Sequence, residues 1–522
     1  MSVATVSEAP TAQRRTGRGL VRRILAMEIR HSAFIWIIPL LVVLFIYDPY
    51  RTASSYGALW PLRSTTVLNK FWPDLHIFAA GFAAWSGTRE GRRNVSDLLA
   101  TTARPPWARQ LCSLAGTAFW VLAAFLAGTV ALYVAASSAA TWGSAPVWPV
   151  IVGVAGLLAV CAVAFTLGAL FPGRFTAPIV AVGITIVMLY AFRQAVGDNG
   201  GSTGAIGVLS PDGSVPGNDW GLFYPVSVGV PIVQAMFMLG VVAAAVGVLG
   251  LSPRTGGVGW RGALSAVAAG GARLRTIAVT LLAAGVALAV AAFALAETAN
   301  VSDPTSTLQI PVIDNALASG SHPIPYTPVC SAGSFRVCVH PAYQPYLSWV
   351  TAALDPVIAQ VSGLPGAPTS ARDISASLLS PAVNQGFGIG QIAGGSYEFS
   401  LNVLPFSPSQ SMVEVSFRQD LVHAIVVGTS ATLVTGSGGS QAYQPDSGTL
   451  AQQAVMDGLL KVFGVPPYPV PQPNSNGPAP QSPQVAAAAA RFATLPAATR
   501  HAWLAANLTA LKAGHLTLAQ VP

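Results

Sequence analysis

Residues 147–170 read VWPVIVGVAGLLAVCAVAFTLGAL, an apolar run without a single charged residue. A helix needs about 17 to 25 such residues to cross a bilayer, because a chain in hydrocarbon must satisfy its backbone polar groups within the segment. The run therefore predicts a membrane span. Comparable runs lie on both sides of it, at residues 31–47, 71–87, 111–139, 176–196, 225–250 and 274–297. The run at 71–87 is the weakest, since Pro73, Asp74 and His76 stand at its start. Composition agrees: 52% of residues are hydrophobic, 9% are charged and mean hydropathy is +0.56. A soluble surface is built from about 25% charged residues, so a purely soluble globular enzyme is excluded.

The chain divides near residue 297. Before it there are 20 Lys and Arg against 10 Asp and Glu; after it, 7 against 9, and the sequence alternates. The positive charge thus belongs to a membrane half, where it reports topology rather than nucleic-acid binding. Arg14, Arg15, Arg18, Arg22, Arg23 and Arg30 precede the first run, and Arg89, Arg92, Arg93, Arg104 and Arg109 follow the second. With Arg174, Arg254, Arg261, Arg273 and Arg275, alternate connections carry 16 basic residues; Arg51, Arg63, Lys70 and Arg193 make 4 on the opposite side. The rich side is expected to be cytoplasmic, and an odd number of spans sends residues 298–522 outside. The first run is read as a retained span rather than a signal peptide. The tail before it is long for a signal, and no A-x-A site follows Tyr47.

The expected fold is thus a polytopic α-helical membrane protein of about seven spans with a C-terminal α+β exterior domain. Residues 1–30 form a basic cytoplasmic tail and interfacial helix, on which Leu20, Ile24 and Met27 share a face. Residues 31–297 form the transmembrane domain. Residues 298–465 form the exterior domain, and 466–522 a Pro-rich linker, PPYPVPQPNSNGPAP, with a helical tail. In the exterior domain Leu347, Val350, Leu354, Val357, Ile358 and Val361 mark a helix ending at Gly363. Tyr397, Phe399, Leu401 and Val403 mark one strand, Val413, Val415 and Phe417 another, and helices are expected at 419–434 and 449–463. Cys112 and Cys161 lie within spans as small buried hydrophobes. Cys330 and Cys338, eight positions apart around a Gly-containing turn, are expected to form a disulfide in an oxidising exterior.

Between the second and third runs, GTREGRRNVSDLLATTARPPWAR places Val95, Leu98, Leu99 and Thr102 at helical spacing among Arg92, Arg93, Asn94, Ser96 and Asp97. Pro105 and Pro106 stop the pattern, which predicts a short amphipathic helix over about residues 90–104. A basic interfacial helix, a two-span hairpin and then E-G-R-R-x-x-S-D-L-L-A-T-T, Glu90 to Thr102, resemble the permease subunits of ATP-binding-cassette exporters of the six-span, drug-export class. That resemblance covers roughly residues 15–250 and implies that Glu90, Arg92, Arg93, Val95, Leu98 and Leu99 couple to an ATPase. It also implies a homo- or heterodimer of permease subunits in the cell membrane. A seventh run and a long exterior domain depart from the family pattern.

If the chain serves an ATP-driven transporter, as the resemblance implies, the motor is a separate chain. A phosphate-cradling loop needs G-x-x-x-x-G-K-[ST], and Lys70, Lys461 and Lys512 follow Asn69, Leu460 and Leu511. No cofactor or nucleic-acid partner is expected. Asp74 and His76 are read either as helix-start groups or as a polar site within the membrane. RQDLVHAIV followed by VMDGLL resembles, in order, a gluzincin-type zinc peptidase: Gln419 at the first His, Asp420 at the general-base Glu, His423 at the second His and Asp457 at the third ligand. Gln419 is a poor zinc ligand and Asp420 is one methylene short, so the set implies an inactive relative and no metal. His322, His340, His501 and His515 are read as ordinary surface or loop histidines. The alternative to a transporter is a membrane-anchored exterior binding or degenerate peptidase-like protein.

Overall fold

A computed structural model describes residues 17–55, 60, 67–92, 106–196, 204–211, 221–251, 272–302, 307–317, 322–375, 378–379, 390–401, 409–428, 431–435, 441–445, 449–467 and 482–522. Its first part is a set of helices, the basic α1 (Gly17–Arg30) and the apolar α2 (Ile38–Phe45), α3 (Trp72–Gly87), α4 (Pro106–Ser137), α5 (Trp148–Leu170), α6 (Thr176–Val196), α7 (Gly229–Leu251) and α8 (Ala272–Ala296). An apolar helix stands at each expected run. Among the described residues five segments are long and apolar enough to cross a membrane: Arg22–Ala53, Trp107–Ser137, Trp148–Leu170, Gly229–Leu251 and Leu274–Ala296. The other two expected spans are shorter by that measure. Helix α3 has 16 residues, with Pro73 in its first turn, and follows directly on a π-helical turn, Val67–Phe71. The apolar part of α6 is Thr176–Ala191. Ile179 and Ile186 on α6 and Val290 on α8 are more than 60% exposed, and rows of large aliphatic side chains in water are avoided by soluble folds. These helices belong in a membrane.

Small residues set the packing. A Cβ on Gly87 would lie 2.2 Å from the Phe165 carbonyl oxygen, and one on Gly168 2.2 Å from that of Ala84, so α3 and α5 meet backbone to backbone. Helices α7 and α8 do the same: a Cβ on Gly285 would lie 2.4 Å from Ala244 N, and one on Gly247 2.6 Å from Leu282 N. Trp72, Leu75, Ala79, Ala80, Ala83 and Ala84 are buried, which makes α3 the inner helix of its group.

The second part begins with a hairpin, β1 (Asn300–Ser302) and β2 (Thr307–Gln309), then helix α9 (Pro311–Ala316). A five-stranded mixed sheet follows in the order β3-β4-β5-β7-β6: Val329–Cys330, Arg336–Val339, Ser370–Asp373, Ser396–Phe399 and Gly390–Ala393. The β4–β5 and β5–β7 pairs are parallel, and the two edge strands are antiparallel. Helix α10 (Leu347–Val361) joins β4 to β5 as the leucine and valine spacing predicts, and Gly363 beyond it has φ +80°. Helices α11 (Gln410–Val426) and α12 (Leu450–Val462) flank a hairpin, β8 (Ala431–Thr435) and β9 (Gln441–Pro445), and α13 (Pro483–Thr494) and α14 (Ala497–Lys512) complete the chain. Phe492 and Leu508 of these last helices enter the same core as Val337, Tyr397 and Phe417. The Cys330–Cys338 disulfide is present, with the two residues directly opposite in the β3–β4 register.

Two expectations are corrected. Val413, Val415 and Phe417 lie in a helix, not a strand: Ser409 accepts from Met412 N and caps α11, burying Val413, Phe417 and Leu421 four residues apart. The helix expected at 419–434 therefore ends early, at Val426, where Gly428 turns with φ +97° and leaves Ala431–Thr435 to form β8. Strand β7 also stops at Phe399. Val403 and residues 468–481 of the expected linker lie outside the described residues.

One buried carboxylate joins the two parts. Asp314 on α9 accepts from Ser227 Oγ (2.7 Å), Gly229 N (3.0 Å) and Ile310 N (2.7 Å), and so neutralises the start of α7 as well as its own helix. A Cβ on Gly229 would lie 2.5 Å from Asp314 Oδ2. Asp314→Ala is expected to cost on the order of 3 kcal/mol by stranding buried donors, and Gly229→Ala to destabilise by expelling the carboxylate. Thermal unfolding of the purified chain in detergent measures both; an unchanged midpoint in both variants would remove Asp314 from this role.

Candidate functional site

The basic end of the helices forms a polar rim. Helix α1 lies along α4, where a Cβ on Gly116 would come 3.0 Å from Glu28 Cβ, and Trp120 Nε1 donates to Ile29 O (2.7 Å). Beyond α3, a single turn, Arg89–Arg92, continues the chain. Arg89 Nη1 pairs with Glu28 Oε2 at 3.1 Å, and Arg109 Nε at the start of α4 with Glu90 Oε1 at 3.4 Å. The Arg92 guanidinium stands 3.5 Å from the centre of the Trp85 ring, a cation–π arrangement. A Cβ on Gly91 would lie 2.4 Å from Pro172 Cβ, so the turn also rests on the connection after α5. Ion pairs as exposed as these contribute less than about 1 kcal/mol each. Their consequence is geometric: α1, the end of α3 and the start of α4 form one frame, carrying the exposed Arg22, Arg23 and Arg30. Glu90 and Arg92 are thus placed within the frame. Arg93, Val95, Leu98 and Leu99 lie outside the described residues.

Asp74 sits in the first turn of α3, which continues from the π-helical turn before it; His76 is buried and stacks on Trp72 at 4.9 Å. The peptidase-like residues lie on α11 and α12. Gln419 Nε2 donates to Pro466 O (3.0 Å), and buried Asp420 accepts from the Tyr397 hydroxyl. His423 is buried on α11, and Asp457 is on α12. Among the described residues no group of three or more His, Cys, Asp or Glu is placed to hold a metal.

A second locus, the seam between the two parts, escapes the sequence. Leu222 and Phe223, just before α7, belong to the core of the second part, and Thr141 Oγ1 after α4 donates to Pro341 O (2.9 Å). His340, expected on a surface loop, is fully buried there. Its ring meets those of Trp142, Phe223 and Tyr326 at 4.5, 5.1 and 4.3 Å, because β4 ends at Val339 and Pro341 turns the chain under the helices. Its backbone N–H donates to Asp373 Oδ2, whose Oδ1 accepts from Leu401 N, both at 3.2 Å. No motif spacing links these residues, which come together only through the parallel register of β4 and β5.

Compared with protein-family models, curated proteins and solved structures, the chain matches none of them.

Burial lowers the His340 imidazole to about 4 and raises the Asp373 carboxyl to about 7, its two backbone donors opposing the rise. Between about pH 4 and 6.5 the unfolded histidine holds a proton that the folded one lacks, so its contribution to stability is lost as pH falls. In the same window the folded carboxyl holds a proton that the unfolded one lacks, so its contribution is lost as pH rises, until about pH 7. The two slopes oppose each other. Asp373→Asn is expected to leave a thermal midpoint that climbs from about pH 4 to 6.5, and His340→Asn one that falls from about pH 4 to 7. Tryptophan fluorescence of the full chain follows both, and identical profiles in wild type and variants would reject the assignment.

Proposed function

We propose that the chain is the membrane subunit of an ATP-driven transporter of the exporter type, working with a separate ATPase and as a homo- or heterodimer of such subunits. The observation that carries this reading is the frame of α1, α3 and α4, which holds the turn Arg89–Arg92 and the start of α4 on one rim. A force applied there would act between α3 and α4 rather than on a free loop. The sequence supports the assignment from three directions. The segment Glu90–Thr102 carries the exporter-like pattern, the 16-to-4 charge bias puts this rim in the cytoplasm, and the chain has no phosphate loop of its own. Residues 298–522 then lie outside the cell membrane with the disulfide.

A second reading, a membrane-anchored exterior binding or degenerate peptidase-like protein, draws on one specific feature. A mixed sheet with antiparallel edge β6 leads into α11 and α12, the order in which the peptidase-like residues occur.

Under the transporter reading, the tagged chain brings down an ATPase with a phosphate-binding loop, identified by mass spectrometry. The double substitution Leu98→Ala, Leu99→Ala is expected to weaken that association at least about fivefold, as loss of an apolar interface anchor worth about 1 kcal/mol requires, while membrane insertion is unchanged. A chain that transports without any ATPase, or a double variant that binds like wild type, would leave the second reading in place.

A further inference from the structure

Strand β3 is an edge of the mixed sheet and only two residues long, yet it is held firmly. Ser331 N donates to Val337 O (2.8 Å), Val337 N donates to Ser331 Oγ (3.0 Å), and the disulfide ties Cys330 to Cys338 directly opposite. Hydrogen bonding alternates along an antiparallel pair, so Cys330, next to the bonded Ser331, turns its own N–H and C=O away from β4. Its Cα lies 4.0 Å from that of Cys338, the close approach of a non-hydrogen-bonded pair. Among the described residues no strand pairs with that outer side, whereas α11 packs against the other edge strand, β6.

Beside this edge runs a groove of about 540 Å³. Val329 and Ser331 share a face with Val337 and Val339, whose buried side chains pack with Val350 and Leu354 of α10, so the helix covers that face. Leu347, Thr351 and Asp355 recur every four residues along α10 and form the far wall. From Leu347 to Asp355 is about 12 Å at about 1.5 Å per residue, the reach of about four residues of extended chain. Thr351 spends its hydroxyl on Leu347 O (2.8 Å). Asp355, exposed, is the one charged residue in the lining, and no cation among the described residues pairs with it. The lining offers no cation to a phosphate and no aromatic ring to a nucleobase.

We propose that this groove takes an extended peptide segment of a partner protein, added to β3 as a further strand and carrying a basic side chain at one end. The Cys330 N–H and C=O supply ladder bonds, Val329 and Leu347 hold an inward-pointing side chain, and Asp355 receives the cation. Pro328 has no N–H to donate, so the ladder ends there and the edge takes a short segment rather than a second sheet. The disulfide contributes by preorganisation, since an edge already fixed loses little freedom on binding. The inference rests on the second part alone and is independent of the ATPase.

The test uses the full chain in detergent and end-blocked pentapeptide pools, randomised at four positions with lysine or glutamate fixed at either end; retained peptides are measured by affinity selection and mass spectrometry. Wild type is expected to retain one of the lysine pools at least fivefold over its glutamate counterpart. Asp355→Lys, at an exposed position, should reverse that preference. Ser348→Trp, also exposed and in the lining, should abolish retention of both pools by filling the groove. N-methylation of the peptide backbones should abolish retention by wild type, which separates strand addition from attraction of charge alone. Circular dichroism confirms that both variants fold. Equal retention of lysine and glutamate pools, variants that select peptides as wild type does, or N-methylated pools held as well as their parents would overturn the proposal, whatever the outcome of the ATPase experiment.

Discussion

The absence of a Cβ at a few positions governs the helical half. In lipid, helices gain nothing by hiding apolar surface from one another, so association depends on close packing. Gly87 and Gly168 bring α3 against α5, and Gly240, Gly247 and Gly285 bring α7 against α8, at distances no other residue permits. Two tight pairs result, joined where α5 meets α7. Because α3 is spent inside its pair, Trp72 and His76 are buried, and Trp72 Nε1 reaches Gly153 O across to α5 (3.2 Å). Because α8 is pinned along only one side, the opposite side of the α7–α8 pair is left open beside α5.

The second part is fixed to this frame by buried polar groups rather than by area alone. Asp314 holds the start of α7, and the His340–Asp373 pair sits where Trp142 and Phe223 enter. Burying a charge is costly unless hydrogen bonds compensate. Asp314 meets the cost with three donors, and Asp373 by retaining its proton to about pH 7. Leu222 and Phe223 complete the junction, since side chains from the helical half share one core with the sheet.

Local and periodic signals were legible in the sequence. Each apolar run became a helix, α10 followed its stripe, α12 formed within the expected 449–463, and the short Cys330–Cys338 spacing closed as a disulfide. Ambiguity arose where one pattern serves two periods: Val413, Val415 and Phe417 alternate like a strand, yet Val413 and Phe417 are also one helical turn apart, and the Ser409 cap decided between them. What stayed hidden is non-local. Asp314 is 85 residues from Gly229 and His340 is 33 from Asp373, and no periodicity reports such meetings. The rim was half legible, because charge marks the residues but not the partners: nothing in Glu28 or Gly116 announces that α1 lies along α4.

These attachments make the two helix pairs unequal in any movement. On the proposed reading, force enters at residues 93–105, between α3 and α4, and α3 is locked to α5 by Gly87 and Gly168. The α7–α8 pair meets the rim at Gly250, where a Cβ would lie 3.1 Å from Trp107 Nε1 at the start of α4, and it carries the second part through Asp314. Displacement of one pair against the other must therefore open or close the α5–α7 contact, which includes Ala155, Ala159, Met238, Phe237, Val241 and the Thr166–Ala245 hydrogen bond. Among the described residues no glycine seats one backbone against the other there. Relative movement of the pairs therefore shifts side chains at this contact before it disturbs either glycine-packed pair.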